Sequence, residues 1–184
     1  MKNLLVVFSH GKESGPMGSK IRALMRVAEL QGARTLSVNY RENPDGTAID
    51  HDAPGEAELL ATHLPVHDCL VLVGSSMGGY VSTVASETLK PDALFLLAPA
   101  FYLPGYASQD PVPYATSTFV VHGWGDDVVP SGNSIDFARR QRCALHLLDG
   151  DHRLNAALPA IEPLFGLFLQ GILAASSTPP ASAG

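Results

Sequence analysis

Six short apolar runs punctuate the chain, and the segments between several of them repeat apolar residues at helical spacing. The runs are Leu4–Phe8, Thr35–Asn39, Cys69–Gly74, Ala93–Ala98, Thr118–His122 and Ala144–Leu148. Each is continuously apolar rather than alternating, the pattern of parallel strands covered on both faces. Ile21, Leu24, Met25 and Ala28 fall on one helical face, and Gly32 follows as a stop signal. Glu56–His63, Gly78–Leu89, Ser134–Arg140 and Leu154–Leu173 are the other helical stretches. This alternation predicts the α/β class, as a three-layer αβα sandwich around a mainly parallel sheet of about six strands.

At 184 residues the chain fits one domain, expected over residues 1–175, with an unstructured Ser/Pro/Ala tail at 176–184. Arg41–Pro54 reads as a polar surface loop. Pro99–Thr116 carries Pro99, Pro104, Gly105, Pro111 and Pro113, too many prolines for a regular helix throughout. Apolar residues make up 46% and charged residues 16%, an ordinary globular balance. A net charge of −6 without any basic run argues against nucleic acid or an anionic membrane surface as a partner. The opening Met1–Phe8 is short for a signal peptide, and no stretch is expected to reach the ~20 apolar residues of a membrane helix, so a cytoplasmic location is expected. Cys69 and Cys143 lie beside apolar runs and read as buried free thiols.

Chemistry enters at Gly74-Ser75-Ser76-Met77-Gly78-Gly79, which follows the third run and opens a helical stretch. A serine at a tight strand-to-helix turn is lifted above the sheet, and small residues two before and two after it avoid clashes between strand and helix. The helix N-terminus adds a favourable dipole and leaves the Met77 N–H free for a developing oxyanion. Such a hydroxyl needs a base and an orienting acid. Two later strand ends offer them: His122-Gly123-Trp124-Gly125-Asp126-Asp127-Val128-Val129-Pro130 after the fifth run, and Asp149-Gly150-Asp151-His152 after the sixth. Ser9-His10-Gly11-Lys12 follows the first run.

Together these segments resemble the α/β-hydrolase superfamily, over nearly the whole chain. Within it they look like compact, lidless serine esterases of the YqiA/YcfP-like type, and more loosely like the dienelactone-hydrolase-like group. The resemblance implies Ser76 as nucleophile, Asp126 as acid and His152 as base, with the N–H groups of Met77 and Lys12 as the oxyanion hole. Asp127 is the rival acid by adjacency, and the spacing to Val129-Pro130 favours Asp126. His10 and His122 are read as supports of their turns. The usual first two strands are absent, and the connection between the fourth and fifth runs is too short for a large cap. Phe101, Tyr102, Leu103, Tyr106 and Tyr114 there either line the pocket mouth or pack on the sheet edge. Dienelactone hydrolases carry Cys where this chain has Ser76, and epoxide hydrolases or dehalogenases would need Asp.

The implied activity is hydrolysis of a small-molecule carboxylic ester or thioester of small to medium acyl group, with no metal and no cofactor. A peptidase or amidase on the same triad, and a non-catalytic binding protein of this fold, are the alternatives. Oligomeric state is not legible.

Overall fold

The computed structural model describes residues 2–40 and 64–177. In chain order the elements are β1 (Leu4–Ser9), α1 (Ser19–Leu30), β2 (Arg34–Val38), β3 (Cys69–Ser75) and α2 (Met77–Leu89), followed by β4 (Ala93–Leu97), β5 (Ser117–Gly123), α3 (Ser131–Gln141), β6 (Ala144–Leu148) and α4 (Leu158–Ser177). All six apolar runs become strands, each within a residue or so of its expected ends. The helical stretch at Glu56–His63, the Arg41–Pro54 loop and residues 178–184 lie outside the described residues.

The strands form one parallel sheet in the order β2-β1-β3-β4-β5-β6. Every residue of β1, β3 and β4 is buried, whereas the edge strands β2 and β6 are mostly half-buried. That difference explains the sequences: β1, β3 and β4 are apolar apart from Ser9 and Ser75 near the carboxyl ends of β1 and β3, while the edges admit Arg34, Ser37 and His146 along their length. Successive side chains point to opposite faces. Leu4, Val6 and Phe8 therefore pack with Ile21 and Leu24 of α1 and Ile161, Phe165 and Leu169 of α4. Leu5 and Val7 share the other core with Tyr80 and Val81 of α2 and Phe137 of α3. Among the described residues, two helices on each face make the three layers.

Three expectations need correction. The last helix begins at Leu158, not Leu154, because Leu154 takes a left-handed backbone (φ 56°) and its N–H is held by Asp151. It ends at Ser177, inside the expected tail. The window Leu158–Ala175, with mean hydropathy 1.6, is also long and apolar enough to cross a membrane by composition. Here that helix lies along the sheet with Ile161, Phe165 and Leu169 in the core, and its interior Pro163 is exposed. Lastly, Cys69 is buried but Cys143 is only half-buried, and neither is in a disulfide.

The chain passes from β1 outward to β2 and then returns to β3 on the other side of β1. This reversal opens a crevice between the carboxyl ends of β1 and β3, where ligands of open α/β sheets bind. Register pairs Ser9 with Gly74 and Ser75 with Leu97. The loops after β1, β3 and β4 consequently meet at one end of the sheet.

Phe95 anchors the α4 face, its ring centroid 4.9 Å from Phe165, 5.2 Å from Phe119 and 5.3 Å from Phe168. Phe95→Ala should destabilise the fold by about 3–5 kcal/mol, read from equilibrium urea unfolding. A loss below about 1 kcal/mol would show that this cluster collapses around the cavity.

Candidate active site

Ser76 stands between β3 and α2 with φ 55° and ψ −119°, a conformation that L residues avoid. Four backbone contacts hold it there. Its N–H donates to the Leu97 carbonyl at 2.9 Å, and its own carbonyl accepts from Gly79 at 2.9 Å, Ala100 at 3.0 Å and Tyr80 at 3.3 Å. The flanking glycines are needed for closeness: a Cβ on Gly74 would strike the Gly78 carbonyl, and one on Gly78 would strike the Ser9 carbonyl. The turn is thus pressed between its own helix and the end of β1. Met77 is the first residue of α2, so its N–H has no partner within the helix.

The loops after β5 and β6 are joined by two backbone hydrogen bonds, Trp124 N–H to Leu148 O (2.8 Å) and Gly125 N–H to Gly150 O (2.9 Å). This seam sets Asp126 beside His152. The His152 Nδ1–H donates to Asp126 Oδ2 at 2.7 Å, leaving Nε2 to accept from Ser76 Oγ at 2.9 Å. Ser76, His152 and Asp126 are therefore brought into one hydrogen-bonded chain, in the order expected for them. Asp127 is exposed on the cavity wall and has no such contact. Of the two adjacent carboxylates, the structure brings Asp126 to the imidazole.

Asp126 has no exposed side-chain surface. Burial alone would push its pKa up, yet hydrogen bonds from Val129, His152 and Val128 hold it below the usual carboxylate value. Oδ1 accepts from the Val128 and Val129 N–H groups at 2.9 and 2.8 Å. Oδ2 accepts from His152 and from a second imidazole, His122, at 2.9 Å.

The sequence predicts His122 as a support for its turn. The structure gives it more: Nε2–H is shared between Asp126 Oδ2 and the Val129 carbonyl (3.0 Å), so Nδ1 accepts from the Ser134 hydroxyl at 2.7 Å. Burial lowers its pKa and keeps it neutral, against the pull of Val129 and Asp126. Spacing in the His122-Gly123-x-x-Asp126 segment was the available signal for this contact. Ser134 gave none, because its link to His122 depends on how α3 docks on the sheet.

His10 does organise its own loop. Its Nδ1–H donates to the Gly11 carbonyl at 2.8 Å, and its Nε2 accepts from the Tyr40 N–H at 3.1 Å. Gly11 comes against Ser76, with Lys12 beside it on the wall of a cavity of about 680 Å³. Leu103 and Tyr106 line the same cavity. Phe101 instead stacks on Phe137 at 4.2 Å, and Tyr114 lies outside beneath the Lys90 ammonium. The aromatic connection thus divides between the two readings left open for it, and it contains neither helix nor strand.

No protein-family model matches the sequence, and no curated protein matches it. Solved structures do. An α/β-superfamily protein from Xanthomonas campestris pv. campestris aligns with a TM-score of 0.81 at 29% identity, over 93% of this chain and 99% of that one. Est1E from Butyrivibrio proteoclasticus aligns at 0.79 with 19% identity, over 94% and 89% of the two chains. A lidless α/β serine hydrolase from Xanthomonas campestris aligns at 0.76 with 19% identity, over 98% and 85%. The fold of this chain is that of the α/β hydrolases it aligns with, lidless ones among them.

His122→Phe would leave Asp126 one donor short in a buried site. We expect a stability loss of about 1–3 kcal/mol at pH 7, measured by urea unfolding. Asp126 is held ionised in the folded state, so its contribution is present above the ordinary aspartate value near 3.9 and lost as pH falls below it. The stability gap between the wild type and Asp126→Asn should accordingly narrow below about pH 4. A gap constant from pH 7 to pH 3 would contradict the charged assignment.

Proposed function

We propose that the chain is a serine hydrolase that cleaves carboxylic esters or thioesters of small to medium acyl groups. The observation that carries this reading is the continuous hydrogen-bonded chain from Ser76 Oγ through both nitrogens of His152 to Asp126 Oδ2. In the proposed reaction Ser76 Oγ attacks the acyl carbonyl while its proton passes to His152 Nε2. The imidazolium that forms is stabilised by the Asp126 carboxylate. The tetrahedral oxyanion is held by the N–H groups of Met77 and Lys12. Collapse releases the alcohol or thiol with the proton from Nε2, leaving an acyl ester on Ser76. Water then attacks, giving its proton to Nε2, and collapse releases the carboxylic acid as Nε2 returns that proton to Ser76 Oγ. Each step uses groups this chain supplies.

Two features favour small or medium acyl groups. The cavity over Ser76 is modest, about 680 Å³. The connection after β4 builds no cap over it, and Leu103 and Tyr106 supply the apolar lining. Such a site accepts a compact acyl chain with part of it in solvent.

A fluorophosphonate probe should label the wild type at Ser76 and fail to label Ser76→Ala. On a panel of 4-nitrophenyl esters of increasing chain length, Asp126→Asn should lower kcat by about 10⁴-fold, with Asp127→Asn close to wild type. Labelling that persists in Ser76→Ala would move the nucleophile elsewhere, and a loss confined to Asp127→Asn would move the acid.

A further inference from the structure

Helix α1 brings one cation to the cavity. Lys20, in its first turn, lies on the cavity wall with a partly buried side chain. Its ammonium donates a hydrogen bond of 3.2 Å to the carbonyl of His152. An ammonium has three donors. Among the described residues no carboxylate comes within ion-pair distance of it. The two nearest in influence are otherwise engaged: Asp126 accepts from four N–H groups, and Asp151 Oδ1 accepts from the Leu154 N–H.

The charges around Lys20 come from every wall. Asp126 and Asp151 favour its charged form, while Arg153 opposes it. Lys12 and Glu13 lie on the loop after β1, and Asp127 on the loop after β5. Burial outweighs the favourable carboxylates and lowers the Lys20 pKa to about 8. At neutral pH the ammonium is charged, partly buried and, among the described residues, held by the single hydrogen bond to the His152 carbonyl, beside the imidazole that faces Ser76. A buried charge in that state gains more from a bound anion than an exposed lysine does.

We propose that Lys20 is an anion-recognising residue of this cavity, so that the preferred substrates are esters or thioesters bearing a carboxylate. This deepens the hydrolase reading and rests on it. No covalent role is required of Lys20: it pairs with the carboxylate and, through the His152 carbonyl, keeps that anion at a set distance from the reacting centre.

Two matched pairs of chromogenic esters test it. Mono-4-nitrophenyl adipate against 4-nitrophenyl hexanoate places the carboxylate on the acyl side. 3-Carboxy-4-nitrophenyl hexanoate against the same hexanoate places it on the leaving group. In at least one pair the wild type should prefer the anionic ester, and Lys20→Met should lower that preference in kcat/KM by about ten- to a hundredfold, the worth of one hydrogen bond to a charged group. Lys20→Arg should keep it. Because kcat/KM reports the free enzyme, the wild-type preference should fall as pH rises through about 8. In Lys20→Arg it should persist. Equal losses on neutral and anionic esters would mean that Lys20 only holds the His152 loop, and would overturn the proposal; so would an unchanged ratio in both pairs.

A binding measurement separates this failure from failure of the hydrolase reading. Millimolar adipate should raise the Tm of Ser76→Ala and not that of the Ser76→Ala/Lys20→Met double variant, whatever the turnover. No shift in either, together with no preference in either ester pair, also sinks the anion site. Absent labelling with an intact adipate shift would instead sink the hydrolase chemistry alone.

Discussion

A carboxylate with no exposed surface is the interaction around which this site is built. Taking such a charge out of water costs several kcal/mol unless donors replace the lost hydration. Asp126 receives four N–H groups, two on each oxygen, and they come from three directions. Val128 and Val129 belong to its own turn, His122 to the end of β5, and His152 to the loop after β6. None of these can move without leaving part of the charge unsatisfied. The β5–β6 loop seam, the docking of α3 through Ser134 and the setting of His152 are therefore coupled to one another through one side chain.

The opposite wall is governed by sterics. Ser76 keeps its unfavourable backbone because the carbonyls of β1, β4 and its own helix leave it no alternative, and only glycine at 74 and 78 permits that approach. The sheet does the rest. Parallel strands with a reversal between β1 and β3 place the loops that carry Gly11, Ser76, Asp126 and His152 along a single edge. With Ser76 and Asp126 both held by several hydrogen bonds, the His152 imidazole between them, 17% exposed, faces the cavity. A preorganised donor set of this kind suits chemistry in which charge develops at a fixed point.

Much of this was legible along the chain because its causes are local or periodic. Strands buried on both faces must be largely apolar, so the inner ones announced themselves; the half-buried edges β2 and β6 carry Ser37 and His146 among their apolar residues and were legible from a weaker pattern. Glycines around Ser76 mark a backbone constraint within five residues. The preference for Asp126 over Asp127 followed from spacing to Val129-Pro130, and the same Asx-type turn produces the two N–H contacts to Oδ1. Local pattern also misled. Apolar periodicity continues smoothly through Leu154, yet Asp151 captures its N–H and delays α4 to Leu158.

Sequence by itself determined the α/β class, the strand set and the three residues Ser76, Asp126 and His152 as one group. Tertiary structure alone decided what surrounds them. His122 reaches Asp126 and Ser134 reaches His122 only because α3 packs against the end of β5. Lys20, in the first turn of an amphipathic helix, has the pattern of a solvated lysine, and it meets the His152 carbonyl across 132 residues of chain. Such contacts leave no periodic trace, since they depend on how separately formed elements dock rather than on the order of residues within any one of them.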